Sequence, residues 1–332
     1  MTIEIDKRWR DWATVVMRLA LGAGILAACF LLPDLSGLAE TFSASDPSWF
    51  LLALLLAIIG TVLLPSLVTQ ATLAIKRIDL SFAELVRINF SVRFYVLMLP
   101  RAASIGIRWL RYTKGGDSHD AMALIVYERL IQLFTMTLIG TLALAYELDA
   151  LHGAALGIFA AALACTALLG AMLLPFLFPA TTGWLSAAAG VAGRIAPAYL
   201  VARIDRLLDA VSAFHQLRTT ATIKIVAWSA LAYVLFIASS YSVVIAMDLD
   251  ISLVALAWIR PLVFLLTLLP FTIGGLGVRE AGFIGLLHLY GIAPGEALAF
   301  SLVLFAIQVA IGVVGLSIEL WQHVTKVRTA GL

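Results

Sequence analysis

Residues 252–290 form one long apolar stretch that is broken once, by Leu268-Leu269-Pro270-Phe271-Thr272-Ile273-Gly274-Gly275-Leu276-Gly277-Val278-Arg279-Glu280. A proline, three glycines and two adjacent opposite charges cannot continue a regular apolar helix. Inside a bilayer, where water is absent, each unpaired backbone amide costs on the order of several kcal/mol, so such a break survives only where protein or a water-filled cavity surrounds it. A charged pair at that depth marks a candidate functional site.

The feature has an echo upstream. Arg93-Phe94-Tyr95-Val96-Leu97-Met98-Leu99-Pro100-Arg101-Ala102-Ala103-Ser104-Ile105-Gly106-Ile107-Arg108 follows the same plan of apolar run, Leu-Pro, small residues and arginine. Asp120-Ala121-Met122-Ala123 resembles Glu296-Ala297-Leu298-Ala299, and Gln132 falls opposite Gln308. Interrupted segments in matching halves of a chain point to a binding site at the interface of two repeats.

Composition supports a membrane setting. The chain is 62% hydrophobic and 13% charged, about half the charged fraction of a soluble domain, and its mean hydropathy is +1.03. Several runs reach the roughly 18 apolar residues that crossing a membrane requires. The net charge of +2 gives no sign of nucleic-acid binding. Cys29 and Cys165 sit in apolar runs without disulfide or metal spacing, and His119, His152, His215, His288 and His323 are scattered, so neither a metal nor another cofactor is expected.

Full membrane helices are predicted near 13–33, 49–69, 120–146, 153–178, 223–247 and 296–321, with interrupted segments near 84–112 and 252–290. Lys7, Arg8 and Arg10 precede the first helix, whose apolar run is too long for a cleaved signal. Connections alternate in charge. The acidic turns carry Asp34, Glu40 and Asp46, then Glu147 and Asp149, then Asp248 and Asp250; the basic ones carry Lys76, Arg77 and Arg87, then Arg194, Arg203, Arg206 and Arg218, then Lys326 and Arg328. The excess of Lys and Arg on cytoplasmic loops then places both termini inside.

The same alternation makes each interrupted segment enter and leave by one face, the first from inside and the second from outside. The expected fold is all-α and polytopic: about six full transmembrane helices plus two oppositely oriented re-entrant hairpins. It forms a single membrane domain over 1–332, with 49–146 as the first inverted unit, 153–222 as a connecting helix and amphipathic helix, and 223–321 as the second inverted unit. Over 198–218, Leu200, Ile204, Leu207, Leu208, Val211, Phe214 and Leu217 recur at helical spacing against Arg203, Asp205, Arg206, Asp209, His215 and Arg218. That pattern suits a helix lying in the interface plane.

Within this frame the chemistry-bearing residues are few. Gly274, Gly275 and Gly277 let the backbone turn and a ligand approach closely. Arg279 offers a planar fork for phosphate, and free amides at a helix starting near Glu280 favour an anion. Pro100, Arg101 and Arg108 form the corresponding basic rim of the first unit, opposite Pro270. Glu128 and Arg129 lie within a predicted span, with Gln132 one turn beyond Glu128 on its face, and are expected to line a cavity. Arg260 either pairs with an acid or snorkels outward. No zinc-protease, nucleophile-elbow or phosphate-loop motif is present.

At these positions the chain resembles the flippase-like membrane region of the lysylphosphatidylglycerol synthases. The likeness rests on Leu269-Pro270-Phe271-Thr272-Ile273-Gly274-Gly275-Leu276-Gly277-Val278-Arg279-Glu280 and, more loosely, on Leu99-Pro100 followed by Glu128-Arg129. Paired glycines are missing between Pro100 and Arg108, and Phe305 stands where a second arginine is expected. The resemblance implies a bacterial inner-membrane protein that moves or presents lipids, without the soluble aminoacyl-transferase activity of the bifunctional synthases. A phospholipid or glycolipid would be its partner, with a homo-oligomer or an associated transferase as further partners. Arg279, Arg108 and Arg129 would bind phosphate, while Glu280 and Glu128 would balance their charge. Two other readings are a membrane-embedded transferase acting on a lipid headgroup and a non-catalytic member of a lipid export complex.

Overall fold

The computed structural model describes residues 46–73, 80–98, 101–113, 118–149, 151, 156–178, 219–268 and 275–330. Nine helices occupy them: α1 (Pro47–Leu73), α2 (Phe82–Met98), α3 (Arg101–Tyr112), α4 (Ser118–Glu147), α5 (Leu156–Leu177), α6 (Thr219–Ala246), α7 (Leu253–Leu266), α8 (Val278–Leu287) and α9 (Pro294–Ala330). There is no strand among the described residues. Five helices, α1, α4, α5, α6 and α9, contain segments long and apolar enough to cross a membrane, so the chain is an all-α, multi-pass membrane protein. The helix expected over 13–33, the amphipathic segment 198–218, and Pro100, Pro270 and Gly274 lie outside the described residues.

Local sequence sets the helix starts. Asp46 caps α1 by accepting from the Ser48 amide at 2.9 Å, with Pro47 at the first helical position. Ser81 and Glu84 make a reciprocal cap on α2: Glu84 Oε2 accepts from the Ser81 amide at 2.8 Å, and Ser81 Oγ accepts from the Glu84 amide at 3.3 Å. Ser252 caps α7, accepting from the Ala255 amide at 2.9 Å.

Two internal prolines are accommodated by neighbouring side chains. Pro65 cannot donate to the Thr61 carbonyl one turn back; a π-helical segment, Ile59–Leu63, precedes it, and Arg93 of α2 donates from Nη2 to Thr61 O at 2.7 Å. Pro261 likewise leaves the Ala257 carbonyl of α7 without its helical donor, and the Tyr233 hydroxyl of α6 donates to it at 2.8 Å.

The interrupted segment near 84–112 divides into α2 and α3, and that near 252–290 into α7, α8 and a 3₁₀ turn at His288–Tyr290. The 14 residues of α7 and 10 of α8 span about 21 Å and 15 Å, short of a hydrocarbon core about 30 Å thick. Packing between the halves is crossed. Helix α2 lies along α9, α7 lies along α4, and α1 pairs with α6. Small residues allow these approaches: a Cβ on Gly315 would stand 2.1 Å from the Phe90 carbonyl oxygen, one on Gly140 would meet Pro261 Cγ at 2.6 Å, and one on Gly60 would meet Ala232 O at 2.9 Å. Two apolar cores result. One surrounds α7 and α8 and includes Trp258, Phe283 and Phe300; the other surrounds α2 and the start of α4 and includes Leu85, Leu124 and Tyr127.

Candidate functional site

Each hairpin carries an arginine on its second arm, and each arginine reaches the long helix that follows. In the first hairpin, Arg108 of α3 faces Glu128 of α4, with Nη1 3.8 Å from Glu128 Oε2. Arg108 Nη2 donates to Asn89 Oδ1 at 2.7 Å, and Asn89 Nδ2 donates to Ser66 Oγ at 2.8 Å. Thr72 donates to Glu128 Oε1 at 2.8 Å. Glu128, Asn89, Ser66 and Thr72 are buried, whereas Arg108 is partly exposed, so this polar chain ends in a guanidinium that solvent or a ligand can reach.

The adjacent charges Glu128 and Arg129 do not act together. Successive helical residues point about 100° apart. Glu128 turns inward, while Arg129 lies over the Phe264 ring at 5.4 Å and donates to Gln132 at 2.9 Å. Gln132 is exposed and serves Arg129 instead of sharing a buried face with Glu128. The backbone of Arg101 opens α3; its side chain lies outside the described residues.

The second hairpin holds the more buried cluster. Gly275 and Gly277 take φ values of 76° and 82°, the left-handed region that favours glycine, and the chain turns there into α8. A Cβ at Gly275 would also strike Thr267 Cβ at 2.8 Å. Glu280 reaches back to accept from the Gly277 amide at 2.7 Å and pairs through its other oxygen with Arg279 Nη2. Arg279 also donates from Nε to Ser301 Oγ at 3.3 Å, and its Cζ stands 4.5 Å from the Phe305 ring centre.

Two expectations change here. The carboxylate of Glu280 itself takes the amide of Gly277, which caps the start of α8, where amides open to an outside anion were expected. Phe305, where a second arginine was expected, supplies the aromatic face against which Arg279 lies.

Arg260 neither pairs with a described acid nor snorkels outward. It is 6% exposed, with Cζ 4.0 Å from the Phe236 ring centre and 5.6 Å from that of Phe283.

A carboxylate on each of α4 and α9 clasps the opposite half of the chain. Glu147 closes α4, and its Oε1 accepts from Ser252 at 2.8 Å. Its Oε2 accepts from the Tyr290 hydroxyl, which in turn accepts from Trp258 Nε1 at 2.9 Å. Burial, then the hydrogen bond to Glu147, pushes the Tyr290 phenol well above its usual range, which keeps it a donor. Glu319 of α9 pairs with Arg111 of α3. The 30 residues of α4 extend about 45 Å. Helix α3 precedes the start of α4 and Glu147 ends it, so the two clasps lie at opposite ends of the bundle.

An apolar cavity of about 220 Å³ lies between α4, α5 and α7, lined by residues including Thr141, Cys165, Trp258 and Pro261. No charged side chain lines it, so it is separate from both arginine clusters. Among the described residues, no three His, Cys, Asp or Glu side chains gather as a metal site would require.

The arrangement can therefore offer guanidinium groups to an anion from two positions, Arg108 at a partly exposed one and Arg279 at a buried one. Asn89, Thr72, Ser301 and the Glu147 and Glu319 clasps were not singled out from sequence. Their partners are distant in the chain, and no local pattern announces them.

The family model described as Lysylphosphatidylglycerol synthase TM region matches residues 15–315 of the chain. No curated protein matches it.

Proposed function

Because the chain belongs to the lysylphosphatidylglycerol synthase TM region family, we propose that it is a lipid translocator, moving or presenting an anionic, glyco- or aminoacyl-lipid across a bacterial inner membrane. The observation that carries this reading is the Arg279–Glu280–Ser301 cluster, buried where a short two-armed hairpin meets a spanning helix. A guanidinium held in protein at membrane depth suits a headgroup phosphate while the lipid tails remain in the bilayer.

The two halves act as inverted repeats, with both termini cytoplasmic. The crossed packing of α2 on α9 and of α7 on α4 supports this, as does the same use of glycine in both places: Gly140 against Pro261, and Gly312 against Leu97. Alternating access then consists of one half rocking on the other. The Arg111–Glu319 clasp closes the cytoplasmic end, and the Glu147–Ser252–Tyr290 clasp closes the other. The Arg108–Glu128 pair receives the headgroup at the first half, and Arg279 receives it at the second. The driving force is a lipid gradient or a coupled ion, and the reaction is transport without headgroup chemistry.

Reconstitution into vesicles with labelled lipids tests this. Wild-type protein is expected to accelerate exchange between leaflets, and Arg279→Ala to remove most of that acceleration. An unchanged rate in Arg279→Ala would remove that residue from the mechanism. A covalently altered lipid product would replace transport with catalysis.

A further inference from the structure

We propose that Arg260 is a headgroup-binding residue that forms, with Arg279, a two-guanidinium site for a phosphodiester group between α6, α7, α8 and α9. The inference deepens the transport reading by naming a cation which that reading leaves unused.

Arg260 is the most conspicuous unsatisfied group in the described residues. It is 6% exposed, its Nε has no hydrogen-bond partner among them, and no described acid forms an ion pair with it. The rings of Phe236 and Phe283 hold its guanidinium in place, at 4.0 Å and 5.6 Å. Ring contact offsets only part of the cost of dehydrating a cation, and neither ring carries a neutralising charge. Tyr233, close by on α6, already donates its hydroxyl to Ala257 O.

The charge balance of the cluster points the same way. Arg260 lies against the Phe283 ring, one helical turn after Arg279 on α8, so both guanidiniums approach the same face of that helix. The acid beside them is Glu280, whose two oxygens are committed to Arg279 and to the Gly277 amide. Ser301 and Phe305, the α9 residues against Arg279, are uncharged. Among the described residues, two guanidiniums and one carboxylate leave a single positive charge in a buried centre. A buried ion persists when a partner of opposite charge meets it. One negative charge completes the set, which matches a phosphodiester, and the planar fork of arginine suits its paired oxygens. A lipid headgroup or a free phosphate ion could supply this chemistry; the position among spanning helices favours the lipid.

The test follows thermal unfolding of the full chain in a neutral detergent during titration with phosphatidylglycerol, with diacylglycerol of the same tails, or with inorganic phosphate. Wild-type protein should be stabilised saturably by phosphatidylglycerol and not by diacylglycerol. Arg260→Gln should weaken the apparent affinity for phosphatidylglycerol at least about tenfold, and its lipid-free midpoint should stay the same or rise, since an uncompensated charge has been removed. An Arg260-dependent response to phosphate alone also supports the site and makes the free ion its source. Should Arg260→Gln not fold, Arg260→Lys decides: weaker phosphatidylglycerol binding supports the proposal, because lysine keeps the charge and loses the fork.

Equal phosphatidylglycerol affinity in wild type and variant overturns the proposal, as does an equal response to phosphatidylglycerol and diacylglycerol. If Arg279→Ala abolishes translocation while Arg260→Gln binds like wild type, this inference fails and the transport reading stands. If the protein moves no lipid yet binds it in an Arg260-dependent way, the site stands and the transport reading fails.

Discussion

The Tyr233 hydroxyl donates to the Ala257 carbonyl at 2.8 Å, and Ala257 is the residue whose helical donor Pro261 removes. A proline in one helix is thus matched by a phenol on the next. Tyr233→Phe should leave that carbonyl unsatisfied and destabilise the protein by about 1–3 kcal/mol. Pro261→Ala restores a backbone N–H to Ala257, so Tyr233→Phe should cost less in that background. A double-mutant cycle on thermal unfolding in detergent measures the difference, and equal costs in both backgrounds would refute the coupling.

The contact between α2 and α9 depends on small residues. A Cβ at Gly315 meets the Phe90 backbone at 2.1 Å, whereas one at Gly285 meets nothing within 4 Å. Gly315→Ala should destabilise by about 1–3 kcal/mol, because backbone cannot yield as a side chain can. Gly285→Ala in α8 should be neutral or stabilising by up to about 1 kcal/mol. Unfolding midpoints of the two variants compare the sites directly.

The two clasps should act on opposite ends of the bundle. Glu319→Gln weakens the pair with Arg111, and Glu147→Gln weakens the contacts with Ser252 and Tyr290. A cysteine placed at Ser66, near Asn89 and Arg108, should react faster in Glu319→Gln with an impermeant maleimide added on the side of the Arg111–Glu319 clasp. Glu147→Gln should not increase that rate. Identical labelling in both variants would rule out opposed gates.

Acid should weaken the start of α2. The Ser81 amide, then its hydroxyl, holds the Glu84 carboxyl below its ordinary value of 4.5. A depressed folded value contributes stability that is present above the unfolded value and is lost as pH falls through the folded one. Glu84→Gln should therefore lower the unfolding midpoint at pH 7, and the gap to wild type should narrow as pH falls below the ordinary value of 4.5. A gap that does not narrow with falling pH would assign the effect to something other than charge.

The sequence made some of this legible and hid the rest for physical reasons. The long membrane helices followed from apolar run length. Arg279 and Glu280 stood out because opposite charges beside glycines are conspicuous in an apolar stretch. Tertiary pairs leave no such trace. Arg111 and Glu319 are 208 residues apart. Glu128 and Arg129 are neighbours in sequence, yet the helix turns one toward Arg108 and the other toward Phe264. Arg260 could not be placed because what holds it is two phenylalanine rings on α6 and α8, and aromatic residues are common in any membrane helix.

The crossing of hairpins and long helices also has a consequence for biosynthesis. Helix α2 rests along α9, which begins at Pro294, about two hundred residues after α2 ends. At a synthesis rate of roughly 5–20 residues per second, α2 waits about ten to forty seconds for the surface that will cover it. During that interval the face of α2 that carries Phe90, Phe94 and Leu97 lacks the helix that packs on it. The early half of this protein therefore completes its packing only when its last long helix emerges.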